Sequence, residues 1–303
     1  MPSSLHSDQY KKGQRQGWDS VAEGWEKWWK TFEHDAQKVN ERLVELAKIE
    51  EGNRVLDIAT GIGEPAITAA KKVGVKGYVL AIDISPKMLS IAKQRAESLG
   101  LQNIVEFKEI DAEKITLDSQ GKQQPSSSLP FDVVLCRWGL MFFPNLTYTL
   151  SKIYQLLLPG GRVAAAVWSE PAKVPKLSTA IDIVIQQIGI SSSSGHYAEI
   201  LRPFSLANVN IVKDALIEAG FKDIHIETLN ITFDFNSADD YADFANAIIA
   251  PIHNTLASET DERKERIWRA VKEEVTRKYS DKALEKGYIK MNNETICILA
   301  RKG

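Results

Sequence analysis

One segment, residues 54–66, constrains the fold of this chain more than any other, and it reads RVLDIATGIGEPA. An apolar run with Asp57 inside it leads into a turn that contains Gly61 and Gly63, and an alanine-rich segment follows. This order is typical of a β-strand, a tight turn and an α-helix. Glycines let a turn approach a ligand closely, and the free N–H groups of the following helix point towards it. The segment therefore predicts a ligand-binding unit.

The next apolar run, YVLAID, ends at Asp83. This carboxylate follows the glycines by about 20 residues, the spacing at which an acid reaches a ribose in a mononucleotide-binding βαβ unit. Residues 54–85 are therefore predicted to bind an adenosine-containing molecule.

Composition excludes several classes of protein. The 303 residues carry a formal net charge of -2, which gives no reason to expect nucleic acid or an anionic membrane as a partner. The two cysteines, Cys136 and Cys297, form neither a disulfide framework nor a metal-ligand cluster. The N-terminus lacks the apolar core of a signal peptide, and no apolar run approaches the length of a membrane span. We expect a cytoplasmic monomer or homodimer that binds no metal.

Apolar strands alternate with helices along the chain. Strands are predicted at 54–58 and 78–82, at a segment ending with Asp111, and in FDVVLCR and RVAAAVW, with two more in KDIHIETLNITFDF and at the C-terminus. Such a pattern favours a parallel sheet covered on both faces, with ligands at the carboxyl ends of the strands. The polar segment 116–130 is predicted to be an exposed insertion.

The N-terminal region is rich in tryptophan. Residues 1 to 12 are polar and expected to be mobile. From residue 18 to 46 the pattern predicts one helix with an aromatic face, which either packs on the domain or forms a lid over a bound small molecule. Tryptophan faces also suit a sulfonium or another cation. Gly24 would loosen this helix, and this favours a helix that can move.

Together these features resemble the class I S-adenosylmethionine-dependent methyltransferases. The resemblance is carried by VLDIATGIGEPA, AIDISPKML, the triplet Asp111-Ala112-Glu113, and LLLPGGRV before the fifth strand. It covers about residues 20–303 and is most specific over 54–170. The fragments WDSVAEGW, FDVVLCRWGLMFFPN and AGFKDIHIE are similar to small-molecule enzymes of the ubiquinone/menaquinone-biosynthesis group.

The resemblance implies an α/β, three-layer αβα Rossmann-like fold, whose mostly parallel seven-stranded sheet has an antiparallel last strand. It implies an aromatic helical lid at 1–50, a cofactor-binding core at 51–170, and the remaining strands with helical substrate-pocket insertions at 171–303. One position departs from the family pattern, because Ala59 stands where a glycine is usual. Alanine tolerates positive φ poorly, so ordinary backbone angles are expected there.

The resemblance also implies how S-adenosylmethionine and its product S-adenosylhomocysteine would bind. Gly61 and Gly63 would let backbone amides approach the methionine part, and Asp83 would accept from both ribose hydroxyls. Asp57 would anchor the turn and the cofactor's ammonium, or only cap backbone N–H groups. Asp111 would accept from the adenine amino group. The predicted cofactor-binding residues are Trp25, Asp57, Ala59, Thr60, Gly61, Gly63, Glu64, Pro65, Asp83, Ile84, Ser85, Met88, Asp111, Ala112, Glu113, Cys136, Arg137 and Trp138.

Methyl transfer is an in-line displacement, so the protein must mainly align the acceptor with the methyl group and exclude water. A base is needed only if the acceptor carries a proton, and the weak candidates are His34, His196, Tyr197 and His253. Arg137, in preference to Arg202, could hold an acidic or phenolate acceptor. Eight aromatic residues predict an apolar, aromatic acceptor such as a quinone-like, phenolic or polyketide-type molecule: Trp25, Trp28, Trp138, Phe142, Phe143, Trp168, Phe204 and Trp268.

Two other functions fit parts of the sequence. GIGEPA matches the fingerprint G-x-G-x-x-G/A of an NAD(P)-dependent oxidoreductase, and Asp83 fits its ribose acid. Asp57 inside the strand and Pro65 at the helix start argue against a pyrophosphate site. The other alternative is a binding protein that keeps the pocket without catalysing transfer.

Overall fold

The computed structural model describes residues 4–115, 130–280 and 287–303. The predicted insertion at 116–130 lies, except for Pro130, outside the described residues. Within these ranges the chain forms a seven-stranded sheet in the order β3-β2-β1-β4-β5-β7-β6. The strands are β1 Arg54–Ile58, β2 Tyr78–Asp83, β3 Val105–Glu109, β4 Phe131–Arg137, β5 Leu157–Trp168, β6 Phe221–Phe235 and β7 Ile289–Lys302.

The directions of the strands match the predicted sheet. The pairs β2–β3, β1–β2, β1–β4 and β4–β5 are parallel, and β7 runs antiparallel to both β5 and β6. The mostly parallel sheet with an antiparallel last strand is therefore confirmed. Strand order reverses between β1 and β4, so the carboxyl ends of these two strands form the crevice in which open α/β sheets bind ligands.

Helices join the strands and cover the sheet. Two of the helices that flank the first five strands begin with side-chain caps: Ser85 accepts a hydrogen bond from the Met88 N–H, and Asn145 accepts one from the Tyr148 N–H. The described helices are α1 Ser4–Ser20, α2 Ala22–Leu46, α3 Ala66–Val73, α4 Pro86–Ser98, α5 Leu146–Leu156, α6 Pro175–Ile188, α7 Gly195–Ile200, α8 Val209–Glu218, α9 Ala238–Ile248, α10 Ala250–Leu256 and α11 Asp261–Tyr279.

The N-terminal region differs from the prediction in two ways. The chain is helical from Ser4, and it forms two helices separated at Val21 instead of one helix from residue 18. Where a mobile start was predicted, the described residues from Ser4 onwards form α1, which polar contacts hold to the domain: the Tyr10 hydroxyl donates to the Phe142 carbonyl at 3.1 Å. A polar helix of this kind is stabilised by specific hydrogen bonds and ion pairs to the domain, which hydrophobic periodicity does not reveal.

Gly24 is a packing residue and does not support the predicted movement. A Cβ atom at this position would lie 2.1 Å from the carbonyl oxygen of Ala247 in α9. The glycine therefore lets the backbones of α2 and α9 come into contact. Farther along α2, Phe32 is buried between Trp25, Phe233 and the rest of the core.

Across the described ranges, the longest apolar helical stretch falls short of what would be needed to cross a lipid bilayer.

Candidate cofactor and acceptor site

A large cavity opens at the carboxyl ends of β1, β2 and β4. It contains about 1350 Å³ of atom-free space, open solvent at its mouth included. The turn after β1 and the residues after β2, β3 and β4 line one side. Residues of α1 and α2, the start of α6 and the junction of α9 with α10 line the other. The cavity thus joins the predicted cofactor region to the aromatic N-terminal helices.

The two glycines of the first turn have different surroundings. Both have positive φ, +55° at Gly61 and +102° at Gly63. A Cβ atom at Gly61 would meet nothing within 4 Å, so open space lies beside this backbone. A Cβ atom at Gly63 would lie 3.0 Å from Ile67 Cδ1 and 3.2 Å from Ala92 Cβ. Gly61 therefore leaves room for a ligand, whereas Gly63 allows helices α3 and α4 to pack against the turn.

The expectation of ordinary backbone angles at Ala59 is wrong, because its φ is +55°. The Thr60 N–H donates to the Ile82 carbonyl at 3.0 Å, which ties the turn to β2. Left-handed backbone costs an L-residue about 1–2 kcal/mol. This hydrogen bond and the surrounding packing hold the residue there, and such strain often occurs in ligand-binding turns.

Asp57 is fully buried behind the turn. Its Oδ2 accepts a hydrogen bond from the Ala66 N–H at 3.0 Å and caps α3. Its Oδ1 and the hydroxyl oxygen of Thr60 are buried without a hydrogen-bond partner. Burial raises the pKa of Asp57 to about 7, although the nearby Thr60 hydroxyl, which forms no hydrogen bond of normal geometry with it, and the Arg137 charge oppose this. Two unpaired polar atoms at this depth are the kind of group that a polar ligand satisfies.

Asp83 ends β2 and lines the cavity. Its Oδ2 accepts from the Gly61 N–H at 2.9 Å and its Oδ1 accepts from the Ser85 N–H at 2.9 Å. Burial raises the pKa of Asp83, while these backbone donors oppose the change. Each carboxylate oxygen can accept a further hydrogen bond, so the pair of oxygens can still bind a diol.

Asp111 lies beyond the end of β3, and helix α1 covers it. The Lys11 ammonium lies 2.8 Å from Asp111 Oδ2 and also pairs with Glu113. Tyr10, Gln14 and Trp18 line the cavity from the same helix. The aromatic helix predicted from the sequence included Trp18, whereas Tyr10 and Gln14 were not predicted to contribute. Their spacing of four residues was the available signal, since it places them on one helical face.

Arg137 is not a free cation. Its guanidinium is buried and donates to both carboxylate oxygens of Glu33, at 2.6 and 2.8 Å, and to Asn40 Oδ1 at 2.7 Å. Burial would lower the pKa of Arg137, but the Glu33 carboxylate outweighs it and raises that pKa. The prediction that Arg137 holds an acidic acceptor is therefore not supported, because its charge already binds α2 to the end of β4.

Aromatic rings form the deep wall of the cavity. Trp138 has a φ of +56°, and its indole N–H donates to the Thr295 hydroxyl at 2.9 Å. It stacks on Trp168 with 4.1 Å between ring centroids. Of the predicted acceptor aromatics, Trp25, Trp138, Phe142, Phe143 and Trp168 line the cavity, whereas Trp28, Phe204 and Trp268 do not.

A lysine that the sequence did not indicate lies in this wall. Lys176 is 1% exposed, and its Nζ lies 4.1 Å from the ring centroid of Phe233, 4.3 Å from that of Phe32 and 4.6 Å from that of Trp168. Burial lowers the pKa of Lys176 well below 10.5, and the Arg137 charge lowers it further. A single lysine among the apolar residues of a helix gives no distinctive sequence signal.

The predicted general bases lie elsewhere. His34 and His196 are exposed, and the His196 ring bonds to the Thr255 hydroxyl at 2.8 Å. Tyr197 and His253 are half-buried, and His253 lines a separate pocket against α11. None of the four lines the main cavity. Their positions argue against a role in proton transfer there.

The predicted cofactor-binding residues divide into two groups. Those that line the cavity are Trp25, Ala59, Thr60, Gly61, Glu64, Asp83, Ile84, Met88, Asp111, Ala112, Arg137 and Trp138. Those that lie behind it are Asp57, Gly63, Pro65, Ser85, Glu113 and Cys136. Cys136 is fully buried, and burial raises the pKa of its thiol, as expected of a small packing residue.

The geometry of α3 disfavours a dinucleotide. The Ala66 N–H at the start of α3 already donates to the Asp57 carboxylate. In a dinucleotide site the corresponding helix start binds a pyrophosphate, and a buried carboxylate in the same place would repel it. The oxidoreductase alternative is therefore not supported.

Comparisons with known proteins agree with this conclusion. A family model described as "Methyltransferase domain" matches residues 49–202. The ubiquinone/menaquinone biosynthesis C-methyltransferase of Pseudomonas savastanoi pv. phaseolicola is 29% identical over 211 residues, which cover 67% of this chain and 74% of that protein.

Two solved structures share the fold. Phosphoethanolamine N-methyltransferase 2 of Haemonchus contortus, in complex with phosphomonomethylethanolamine and S-adenosylhomocysteine, has a TM-score of 0.51 at 20% identity. The match covers 88% of this chain and 52% of that one, so this chain spans about half its length. The YcgJ protein from Bacillus subtilis has a TM-score of 0.52 at 17% identity, with 88% and 98% covered. Since the family model covers half of the sequence and the sheet has the predicted topology, this chain belongs to the class I S-adenosylmethionine-dependent methyltransferases.

Proposed function

We propose that this enzyme methylates a small, apolar, aromatic acceptor inside the cavity by in-line displacement. The observation that carries the proposal is that one cavity is bordered both by the glycine turn with Asp83 and by a wall of tryptophan and phenylalanine rings. An acceptor stacked on Trp138 and Trp168 would lie in the same space as the cofactor's reactive end. Proximity of this kind is the main catalytic requirement of a displacement at an already activated carbon.

The residues present fit the cofactor. The open space beside Gly61 would admit the methionine part of the cofactor. The unpaired Asp57 Oδ1 and Thr60 hydroxyl would gain polar partners from it, directly or through water. Asp83 would bind the ribose hydroxyls, and Asp111 would accept from the adenine amino group. Bound S-adenosylmethionine supplies a methyl group on a positively charged sulfur. The other predicted cofactor-binding residues that line the cavity would make the remaining contacts with S-adenosylmethionine.

We assign three regions of the chain to three tasks. Residues 1–50 would cover the site, because α1 and α2 contribute Tyr10, Trp18 and Phe32 to its lining. Residues 51–170 would hold the cofactor. Residues 171–303 would shape the acceptor side through α6, α9 and α10. A small-molecule acceptor is consistent with this arrangement, since the cavity is enclosed by the enzyme's own helices.

The charges of the site favour an acceptor without its own strong charge. The guanidinium of Arg137 is paired with Glu33, Lys11 is paired with Asp111, and burial favours the neutral form of Lys176. Burying an unpaired phosphate against an aromatic wall would be costly. This argument separates the proposed acceptor from phosphomonomethylethanolamine, which is bound in the structure of the Haemonchus contortus protein.

Isothermal titration with S-adenosylmethionine, S-adenosylhomocysteine and NAD tests the cofactor assignment. We expect the first two to bind and NAD not to bind, and the opposite result would overturn the proposal. Transfer of labelled methyl groups to a hydroquinone, an alkylphenol and phosphoethanolamine tests the acceptor class. We expect label in an aromatic acceptor and none in phosphoethanolamine, and preferential labelling of phosphoethanolamine would refute the acceptor proposal. NMR of the product identifies the methylated atom.

A further inference from the structure

The position of Lys176 is fixed by its backbone. The residue lies in the first turn of α6, where its N–H donates to Asn293 Oδ1 at 2.9 Å and its carbonyl accepts from the Tyr241 hydroxyl at 3.0 Å. Asn293 and Tyr241 are themselves buried. The start of the side chain is therefore held firmly, and the side chain borders the cavity at its aromatic wall.

The amine of Lys176 is surrounded by rings and has no counterion. Within the described residues, Nζ makes neither a hydrogen bond nor an ion pair. The five ring centroids within 6 Å of it belong to Phe32, Trp138, Trp168, Phe233 and Phe244. A buried ammonium normally requires a carboxylate partner, so this environment suits a neutral amine.

The charges around Lys176 include some that lower its pKa and others that raise it. Burial is the largest influence and lowers the pKa of Lys176, and the Arg137 guanidinium from β4 lowers it further. Position in the first turn of α6 also disfavours a cation, because the helix dipole is positive there. Asp35 and Glu33 from α2 favour the charged form, but Glu33 is already paired with Arg137. The net effect lowers the pKa of Lys176 well below 10.5.

We propose that Lys176 is the general base of the reaction and that the acceptor is an aromatic compound with an ionisable hydroxyl group. This inference rests on the proposed function and extends it to a residue and a substrate class. A neutral amine at the cavity wall can accept a hydroxyl proton while the acceptor attacks the methyl carbon. The faces of the rings reduce the cost of the ammonium that forms, but they do not replace a carboxylate partner, so the neutral amine remains the resting form.

The proton and electron balance of this step is complete. The acceptor's O–H bond breaks, and the proton passes to the lone pair of Nζ. The electron pair released on the acceptor forms the new bond to the methyl carbon, and the pair of the breaking C–S bond remains on sulfur. One positive charge is present before the step, on sulfur, and one after it, on Lys176. The ammonium loses its proton to solvent when product leaves.

A titration that needs no acceptor tests the state of the amine. Lysine labelled with ¹³C at Cε is observed by NMR in the protein bound to S-adenosylhomocysteine, and the Lys176→Met variant identifies the Lys176 signal. We expect the Lys176 amine to lose its proton at a clearly lower pH than the exposed lysines of the same protein. A Lys176 signal that titrates together with the exposed lysines would overturn the inference. Failure of the wild-type protein to bind S-adenosylhomocysteine would instead count against the proposed function.

Turnover with a series of phenols of graded acidity tests whether Lys176 acts as the general base. We expect Lys176→Met to lower kcat about 10²–10⁴-fold with weakly acidic phenols and less with acidic ones, since these ionise unaided. Affinity for S-adenosylhomocysteine should stay within about twofold. Lys176→Ala should recover activity when ethylamine is added. Equal losses along the series without recovery would show a structural role, and unchanged kcat would exclude any role. The exposed Lys173→Met is the matched control.

Discussion

The ammonium of Lys11 lies 2.8 Å from Oδ2 of Asp111 and joins helix α1 to the loop that follows β3. Glu113 pairs with the same ammonium, and both carboxylates are largely shielded from solvent. Burial alone would lower the pKa of Lys11, but the two carboxylates outweigh this and raise it. These pairs therefore attach α1 over the part of the cavity proposed to bind adenine.

Lys11→Met should loosen α1 without unfolding the domain. A partly exposed ion pair contributes about 1 kcal/mol or less, so the expected loss is of that order and is confined to the helix. Hydrogen exchange of amides in residues 4–20 should quicken several-fold while that of β1 stays unchanged. The exposed neighbour Lys12→Met serves as control. Equal exchange in the two variants would show that the ion pairs do not hold α1.

Asp83→Asn should weaken binding of S-adenosylhomocysteine. A hydrogen bond to a charged group contributes about 1.5–3 kcal/mol, so we expect affinity to fall about 10–100-fold. The amide oxygen of asparagine can still accept from the Gly61 N–H, but its amide nitrogen cannot accept from the Ser85 N–H, so one hydrogen bond of the turn is lost as well. Isothermal titration measures the change, with the exposed Asp214→Asn on α8 as control. Unchanged affinity would remove Asp83 from the cofactor site.

The sheet and the first turn could be predicted from sequence because their signals are local. The apolar runs of β1 and β2 and the glycines between them lie within 30 residues and belong to one βαβ unit. The loops after those strands had to meet at one edge of a parallel sheet, so the position of the site followed from the strand directions.

Several aromatic residues of the deep wall were predicted, but their mutual contacts and Lys176 could not be, because they depend on distant parts of the chain. Lys176 receives its environment from Phe32 in α2, Trp168 in β5 and Phe233 in β6. In the sequence it is one lysine among many. The pairing of Arg137 with Glu33 was hidden for the same reason, since the two residues are 104 positions apart.

Gly139→Ala should destabilise the protein through Ala59. A Cβ atom at Gly139 would lie 2.7 Å from Ala59 Cβ and 2.8 Å from Cys136 Sγ. Overpacking of this kind costs about 1–3 kcal/mol, measured by urea unfolding. The double variant with Ala59→Gly should recover part of that cost, because the nearest atom is removed and the positive φ at position 59 suits glycine. If the effects of the two substitutions on the free energy of unfolding were strictly additive, residues 59 and 139 would not be coupled in this way.

Glu33→Gln should destabilise the protein strongly, because it leaves the buried Arg137 charge without its partner. Breaking a buried ion pair costs about 3–5 kcal/mol. Burial alone would raise the pKa of Glu33, but Arg137 outweighs it and lowers that pKa. The stabilisation is thus fully present above the ordinary value of 4.5 and is lost as pH falls through the lowered pKa.

Unfolding in urea at several pH values measures the effect of Glu33→Gln. The exposed Glu41→Gln, on the same helix, should change the free energy of unfolding by less than about 0.5 kcal/mol. A similarly small change for Glu33→Gln would mean that the pair contributes little to stability.

Binding of S-adenosylhomocysteine should release a proton from Asp57. Burial raises the pKa of Asp57 to about 7, so the folded protein keeps a proton that the unfolded chain loses near 3.8. Stability should therefore fall as pH rises through this window. A cofactor ammonium beside Oδ1 would favour the carboxylate and expel the proton. Isothermal titration at about pH 6 in buffers of different ionisation enthalpy should detect this release. The Asp57→Asn variant should release no proton on binding, whereas the control variant Asp214→Asn should release one as the wild type does. If the wild type releases no proton, Asp57 does not contact the cofactor's ammonium.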